Sequence, residues 1–254
     1  KNIVRLGGSA SKLHLLLLLA AVNMDEQALT HLKALLESMV YYSTVNQIKT
    51  NELERLYAQW CKQIREIHTD EELTSFINDK IRPTISQWKV NNRSNFMRIG
   101  FDSMQQYRVK FILARITKYV DVRRKNGGDA SNVAEFYEGG IEIEHIMPQK
   151  YSAAYGISED DYNAAKQRLG NLTLLEKTIN ASIGDDAFAS KSEAYRQSAY
   201  YLTRSIAQLD DVGQQTAINR MNQKLRSWSS WGPSMIEDRQ AILYDLSEEI
   251  WSID

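Results

Sequence analysis

Apolar residues recur at helical spacing through most of the chain. In the segment 25–45 they form one helical face: Leu29, Leu32, Leu35, Leu36, Met39 and Val40. The segment 51–67 repeats this spacing, and Thr69-Asp-Glu-Glu72 has the form of a capping box that begins another helix. A long helix is also predicted over 103–124, with Asp102 as its N-cap. The pattern therefore predicts a mainly α protein.

A different pattern begins at Ile141. Residues 141–146 alternate between apolar and polar side chains, and Leu172-Thr-Leu-Leu175 is a second short apolar run, so both segments predict strands. A helix is predicted directly afterwards, over 177–183. Two antiparallel strands with a long connection and then a helix form a ββα unit, which is too small to be stable alone. We therefore predict a mainly α (α+β) fold, a multi-helical domain with an embedded small ββα core.

The strongest break in the pattern is Asn126-Gly-Gly-Asp129, which is typical of a loop between domains. It predicts three parts. Residues 1–125 form a helical region whose last helices are basic, residues 126–210 form the ββα core, and residues 211–254 form C-terminal helices that pack on this core.

Composition narrows the class of protein. With 254 residues, of which 43% are apolar and 25% charged, the chain can bury one large core or two smaller ones. The single cysteine, Cys61, excludes an intramolecular disulfide and any multi-cysteine zinc site, which fits a reducing cytoplasm. The apolar run 13–22 is interrupted by His14 and is too short to cross a bilayer. We expect no membrane partner.

Basic charge is concentrated in one segment. The net charge is −1, yet residues 80–125 contain twelve lysines and arginines against two aspartates, a local charge of +10. Such a segment favours a surface that binds nucleic-acid phosphates, although a solvated helix face would have the same composition. The candidate DNA contacts are Arg108, Arg115, Arg123, Arg124 and Lys125, with Lys191 later in the chain.

Candidate chemistry lies at the end of the first predicted strand, in Glu144-His145-Ile-Met-Pro148. A strand that breaks before a proline can twist, so that neighbouring side chains both border one cleft. One side chain could then hold a metal while the other activates water. Glu142 lies two residues earlier on the same strand face as Glu144 and could replace it as a ligand. A histidine before a proline turn can also be purely structural.

Several other motifs accompany this one along the chain. They are Leu169-Gly-Asn171-Leu-Thr-Leu-Leu175, Asn180, Phe188, Lys191, Tyr195, Trp231, Ile236, Arg239 and Trp251. Together they resemble the HNH, or ββα-metal, nuclease superfamily over residues 100–254. More narrowly, they resemble the HNH-like C-terminal nuclease domain of GmrSD-type modification-dependent restriction enzymes and of phosphorothioation-linked defence nucleases.

The resemblance implies a role for four residues. His145 would take a proton from the attacking water, and its reference pKa of about 6.5 suits a base at neutral pH. Glu144 and Asn180 would bind one divalent cation, Mg²⁺ or alternatively Mn²⁺. Asn171 would tie the connection between the strands to the strand that carries His145. The third position of the HNH motif is asparagine here, which leaves a single imidazole near the site.

The resemblance also implies a function and partners. It implies a metal-dependent DNA endonuclease or nickase that hydrolyses phosphodiester bonds, the C-terminal nuclease part of a bacterial anti-phage restriction protein in the cytoplasm. Its substrate would be double-stranded phage or modified DNA. A nucleotide-hydrolysing N-terminal domain of the same protein would be missing, since the chain starts at Lys1. The alternative is a catalytically silent helical module for DNA binding or protein interaction, in which Glu144 and His145 are structural.

Overall fold

The predicted fold class, mainly α with a small β component, is confirmed. The computed structural model describes residues 2–7, 12–211, 213 and 215–253. Within these residues most of the chain is helical, and one antiparallel sheet of two strands is present. No described helix combines the length and the apolar character that crossing a membrane requires.

The chain forms two compact units, which divide at Met97. The first unit contains the described residues up to Phe96 and the C-terminal residues from Trp251. Its helices are α1 Asn2–Gly7, α2 Leu13–Ala20, α3 Glu26–Val45, α4 Thr50–Ile64, α5 Asp70–Phe76, the π-helical Ile77–Ile81, α6 Arg82–Lys89 and α7 Asn92–Phe96.

Local signals in the sequence set several helix starts in this first unit. Asp25 caps α3, because its carboxylate accepts a hydrogen bond from the amide of Ala28 at 2.7 Å. The predicted capping box of Thr69 and Glu72 is confirmed at the start of α5. The apolar face of α3 is buried as its spacing predicts, with Leu32, Leu35, Leu36, Met39 and Val40 inside.

The second unit holds the remaining elements. They are α8 Gln106–Arg124, α9 Glu135–Glu138, β1 Ile141–His145, a 3₁₀ turn Ala153–Tyr155, α10 Glu159–Gln167, a 3₁₀ turn Leu169–Asn171, β2 Leu172–Glu176, α11 Lys177–Ile183, α12 Phe188–Tyr195, α13 Tyr201–Ala207, α14 Ala217–Asn222 and α15 Pro233–Ile250. The predicted ββα order is present in β1, β2 and α11. The three-part division of the chain stays a prediction, and α8 lies in the same unit as the strands.

Strands β1 and β2 pair in a fixed antiparallel register. Ile141 lies opposite Glu176 and His145 lies opposite Leu172. Helices between and after the two strands contribute apolar side chains to one core with this hairpin. That core contains Ile146, Met147, Tyr162, Ala165, Leu175, Ile183, Phe188, Tyr195, Ile206, Trp231 and Ile236. A two-stranded sheet is marginal alone, so this burial is what stabilises the hairpin.

Candidate active site

Glu144 is held in a buried polar cluster at the end of β1. Its Oε1 accepts hydrogen bonds from Lys191 Nζ at 2.7 Å and from the Tyr195 hydroxyl at 3.0 Å. Lys191 also donates to the backbone oxygen of His145 at 2.8 Å. Because Lys191 and Tyr195 both belong to α12, this cluster attaches the end of β1 to that helix.

The charges in this cluster compensate one another. Burial raises the pKa of Glu144, while the ammonium of Lys191 and the Tyr195 hydroxyl oppose that rise. The side chain of Lys191 is only 1% exposed. The prediction that Lys191 contacts DNA is therefore wrong, because its ammonium is buried and paired. A metal on Glu144 would share the carboxylate with this ammonium and the Tyr195 hydroxyl, which both bond to Oε1. The predicted role of Glu144 as a metal ligand stays a prediction.

Asn180 lies beside Glu142 instead. Its Nδ2 donates to Glu142 Oε2 at 2.9 Å, and the pair is partly buried. The two side chains come from α11 and β1, the helix and first strand of the ββα unit. Nowhere in the described chain do three or more histidine, cysteine or acidic side chains form a group that could hold a metal. Glu142 and Asn180 together offer two oxygen-bearing side chains.

His145 has a different environment from Glu144. Its ring packs against the ring of Phe101 in a T-shaped arrangement, with ring centroids 4.8 Å apart and planes at 69°. Strand alternation continues up to His145, because this residue still pairs in register with Leu172. The two neighbouring side chains therefore point to opposite faces of β1, and the predicted shared cleft is wrong. His145 is buried, with 4% of its surface exposed.

Burial determines the protonation state of His145. It lowers the pKa of the imidazole to about 4; the positive charges of Lys191 and Lys166 lower it too, and Asp185 opposes them. The ring is therefore neutral at pH 7. Neutral imidazole is the form that can accept a proton, although a pKa of about 4 makes it a weaker base than the reference value implied.

Asn171 uses its whole side chain to hold the turn after His145. Its Oδ1 accepts from the amide of Met147 at 2.7 Å and from Trp231 Nε1 at 2.9 Å. Its Nδ2 donates to the backbone oxygens of Met147 at 3.2 Å and Lys166 at 2.9 Å. The residue is fully buried, so these four bonds replace its hydration. The start of β2 is thereby connected to the end of β1.

Helix α15 supports the turn that carries Asn171. Arg239 donates to the backbone oxygens of Gly170 at 2.8 Å and Leu172 at 2.7 Å, the residues on either side of Asn171. Gln240 Oε1 accepts from the amide of Gly170 at 3.1 Å. A Cβ at position 170 would lie 2.0 Å from the backbone oxygen of Ile236, so only glycine fits there. The helix therefore packs directly against this turn.

The family model for the C-terminal domain of GmrSD restriction endonucleases matches residues 88–246. The chain belongs to this family. The match includes both strands, His145, Asn171 and most of α15. This family is one of restriction-type nucleases. No curated protein matches the sequence.

The basic residues of this GmrSD domain differ in exposure. Arg123 and Lys125 are exposed, whereas Arg108 and Arg124 are partly buried. Arg124 is paired with Asp210 at 2.9 Å. The predicted DNA contact at Arg115 is wrong, because this side chain is buried and donates to the backbone oxygen of Ala130. The surface available to phosphates is therefore smaller than the sequence predicts.

Three polar residues near His145 were not predicted from the sequence to belong to the site. Gln149 Nε2 lies 3.4 Å from His145 Nδ1. Asp185 accepts from the amide of Gln149 at 2.8 Å, and Lys166 donates to the backbone oxygen of Gln149 at 2.7 Å. The position of Gln149 directly after Pro148 was the one available signal, since a residue after a turn can reach back to the strand end. Asp185 and Lys166 carry no local signal.

Proposed function

We propose that this GmrSD domain is a divalent-metal-dependent DNA endonuclease of the HNH type, with His145 as the general base. The observation that carries the proposal is the bonding of Asn171 across the turn after His145. Two hydrogen bonds of this side chain fix Met147 in the turn that follows the imidazole, and two more anchor the side chain to Lys166 and Trp231. Such fixed geometry is what a base needs to accept a proton from a positioned water.

His145 would act in its neutral form. The lowered pKa of about 4 keeps the ring unprotonated at neutral pH, so each molecule is ready to accept a proton from the water that attacks phosphorus. The Phe101 ring lies against the imidazole at 4.8 Å between centroids. Because Nε2 of the imidazole is buried, water and the scissile phosphate would reach it only after a local rearrangement of the site.

We propose Mg²⁺ as the cofactor, with Mn²⁺ as the alternative. Glu142 and Asn180 would hold it, because a carboxylate and an amide supply the oxygen ligands that these cations prefer. Magnesium commonly takes one or two protein ligands and completes its shell with water and phosphate oxygens. When bound, such an ion stabilises charge on the phosphate and the leaving oxygen. Glu144 would remain paired with Lys191.

The substrate we propose is double-stranded DNA, contacted by the exposed side chains of Arg123 and Lys125. We further propose that the domain acts in bacterial defence against phage DNA, joined to a nucleotide-hydrolysing N-terminal domain of the same protein. The family's description as restriction endonucleases supports this proposal.

Supercoiled plasmid tests the proposal. The chain is incubated with plasmid in Mg²⁺, in Mn²⁺ and in EDTA, beside His145→Ala and the control His31→Ala in the first unit. We expect metal-dependent conversion to open-circular or linear DNA, lost in His145→Ala and kept in the control. DNA binding by folded wild-type protein without conversion in either metal would contradict the proposal and favour the catalytically silent module.

Two further variants separate the candidate metal ligands. Glu142→Gln should require a higher Mg²⁺ concentration for the same rate, because it removes a charged ligand. Glu144→Gln should leave the Mg²⁺ requirement unchanged while altering the stability of the fold, because its partner is Lys191. The opposite result, a higher Mg²⁺ requirement only in Glu144→Gln, would indicate that Glu144 is the metal ligand, as the family resemblance implies.

A further inference from the structure

The two ring nitrogens of His145 have unequal surroundings. Nδ1 lies 3.4 Å from the side-chain amide nitrogen of Gln149. Nε2 is buried, and within the described part of the chain it has no hydrogen-bond partner. The neighbouring polar groups of the site are engaged elsewhere: Glu144 by Lys191 and Tyr195, and Asn171 by the turn.

The backbone of Gln149 is fixed on both sides. Its amide donates to Asp185 Oδ1 at 2.8 Å, and the next amide, of Lys150, donates to Asp185 Oδ2 at 3.2 Å. The backbone oxygen of Gln149 accepts from Lys166 Nζ at 2.7 Å. The Gln149 side chain is exposed to solvent, and its terminal amide lies beside the imidazole. The terminal amide of the Gln149 side chain can still rotate.

That rotation decides the chemistry of the imidazole. A neutral imidazole has one N–H, and the nitrogen that lacks it is the proton acceptor. If Gln149 presents its amide nitrogen, Nδ1 accepts, the proton is on Nε2, and Nε2 cannot act as a base. If Gln149 presents its oxygen, Nδ1 carries the proton and Nε2 is the acceptor. The two ends of an amide have the same shape, so a half-turn exchanges them.

We propose that Gln149 is a positioning residue that fixes the tautomer of His145. In the reactive form its amide oxygen accepts from Nδ1–H, which leaves Nε2 as the proton acceptor. The catalytic part of this inference rests on the proposed function, whereas the control of the tautomer does not. Asp185 and Lys166 contribute by holding the Gln149 backbone.

Nitrogen NMR tests the tautomer directly. The full chain is labelled with ¹⁵N-histidine, and the ring shifts of His145 are assigned by their loss in His145→Asn. Gln149→Glu can only accept at Nδ1, whereas Gln149→Met offers no hydrogen bond. The control is Gln197→Glu, an exposed glutamine of the same unit. Spectra are recorded at a pH where the ring is neutral.

We expect wild type, Gln149→Glu and the control to show protonated Nδ1 and unprotonated Nε2. Gln149→Met should shift both signals toward the mixture of tautomers that a free imidazole shows. The inference is overturned if Gln149→Met keeps the wild-type shifts, or if wild type carries its proton on Nε2. These readouts do not depend on DNA cleavage.

Plasmid nicking then separates this inference from the proposed function. Gln149→Met should lower kcat by roughly 10-fold to 100-fold with KM for DNA unchanged, and Gln149→Glu should restore much of the loss. Equal kcat in wild type and Gln149→Met, with the tautomer shift present, would overturn the catalytic part. No cleavage by any variant, with the tautomer shift present, would contradict the proposed function and leave the control of the tautomer standing.

Discussion

The ammonium of Lys191 lies 2.7 Å from the carboxylate of Glu144, and both side chains are buried. The same ammonium donates to the backbone oxygen of His145. One lysine on α12 thus balances the charge of Glu144 and holds the backbone of its neighbour. The Glu144-His145 pair consequently has one structural member and one candidate catalytic member.

Lys191→Met should destabilise the fold by about 3 to 5 kcal/mol, because it leaves the Glu144 carboxylate buried without its counter-ion. The free energy of unfolding from urea denaturation measures this. The double variant Lys191→Met/Glu144→Gln should recover a large part of the loss, because it removes the unpaired charge as well. The exposed Lys150→Met serves as the control. A double variant as unstable as the single variant would contradict this account.

His145 should make stability depend on pH. Its pKa falls from 6.5 in the unfolded chain to about 4 in the fold, so the unfolded state binds the proton first as pH decreases. Its contribution to stability is therefore complete above about pH 6.5 and is lost as pH falls toward 4, a total of about 3 kcal/mol. Urea denaturation between these pH values should show a steeper loss for wild type than for His145→Asn. Parallel curves would refute the buried neutral ring.

Gly170→Ala should disturb the contact between α15 and the Asn171 turn. The added Cβ would lie 2.0 Å from the backbone oxygen of Ile236, which cannot move aside as a flexible side chain can. We expect a loss of about 1 to 3 kcal/mol or more in the free energy of unfolding, together with lower nicking activity. Gly139→Ala is the matched control, since a Cβ there has open space. Equal stability of the two variants would rule out the close approach.

Exposed and buried arginines should respond differently to neutralisation. Arg123→Gln with Lys125→Gln should weaken DNA binding and reduce the slope of log affinity against log salt concentration by about 2, since each phosphate contact contributes about 0.9. Arg115→Gln should instead lower the stability of the fold, because its guanidinium donates to the backbone oxygen of Ala130 inside the protein. Binding titrations at several salt concentrations distinguish these effects. An unchanged slope in the first variant would exclude this surface as a phosphate contact.

Local patterns in the sequence were sufficient for much of the fold. The capping box at Thr69, the alternation at Ile141 and the helix at Lys177 all depend on neighbouring residues, and the structure places these elements as predicted. Asn171 was also expected to connect the two strands, and its side chain bonds to the turn after β1. This role of Asn171 was predicted from the family resemblance, because the spacing of residues alone does not indicate it.

The burial of individual charged side chains could not be predicted from local sequence patterns. Lys191 meets Glu144 across 47 positions of sequence, and Arg115 meets Ala130 across 15. A lysine or an arginine on a predicted helix is expected at the surface, and only the tertiary packing shows that these two are buried. The low pKa of His145 has the same origin, because its main cause is burial.

The contact of α15 with the Asn171 turn has a consequence for the order of synthesis. Gln240 bonds to Gly170 across 70 positions of sequence, and Arg239 bonds to the same residue across 69. The ribosome therefore completes His145 and Asn171 well before it makes the helix that braces them. A nascent or prematurely terminated chain that lacks this helix has His145 and Asn171 without the bonds from Arg239 and Gln240 to Gly170. The turn that follows His145 therefore gains its full set of hydrogen bonds only after α15 has been synthesised.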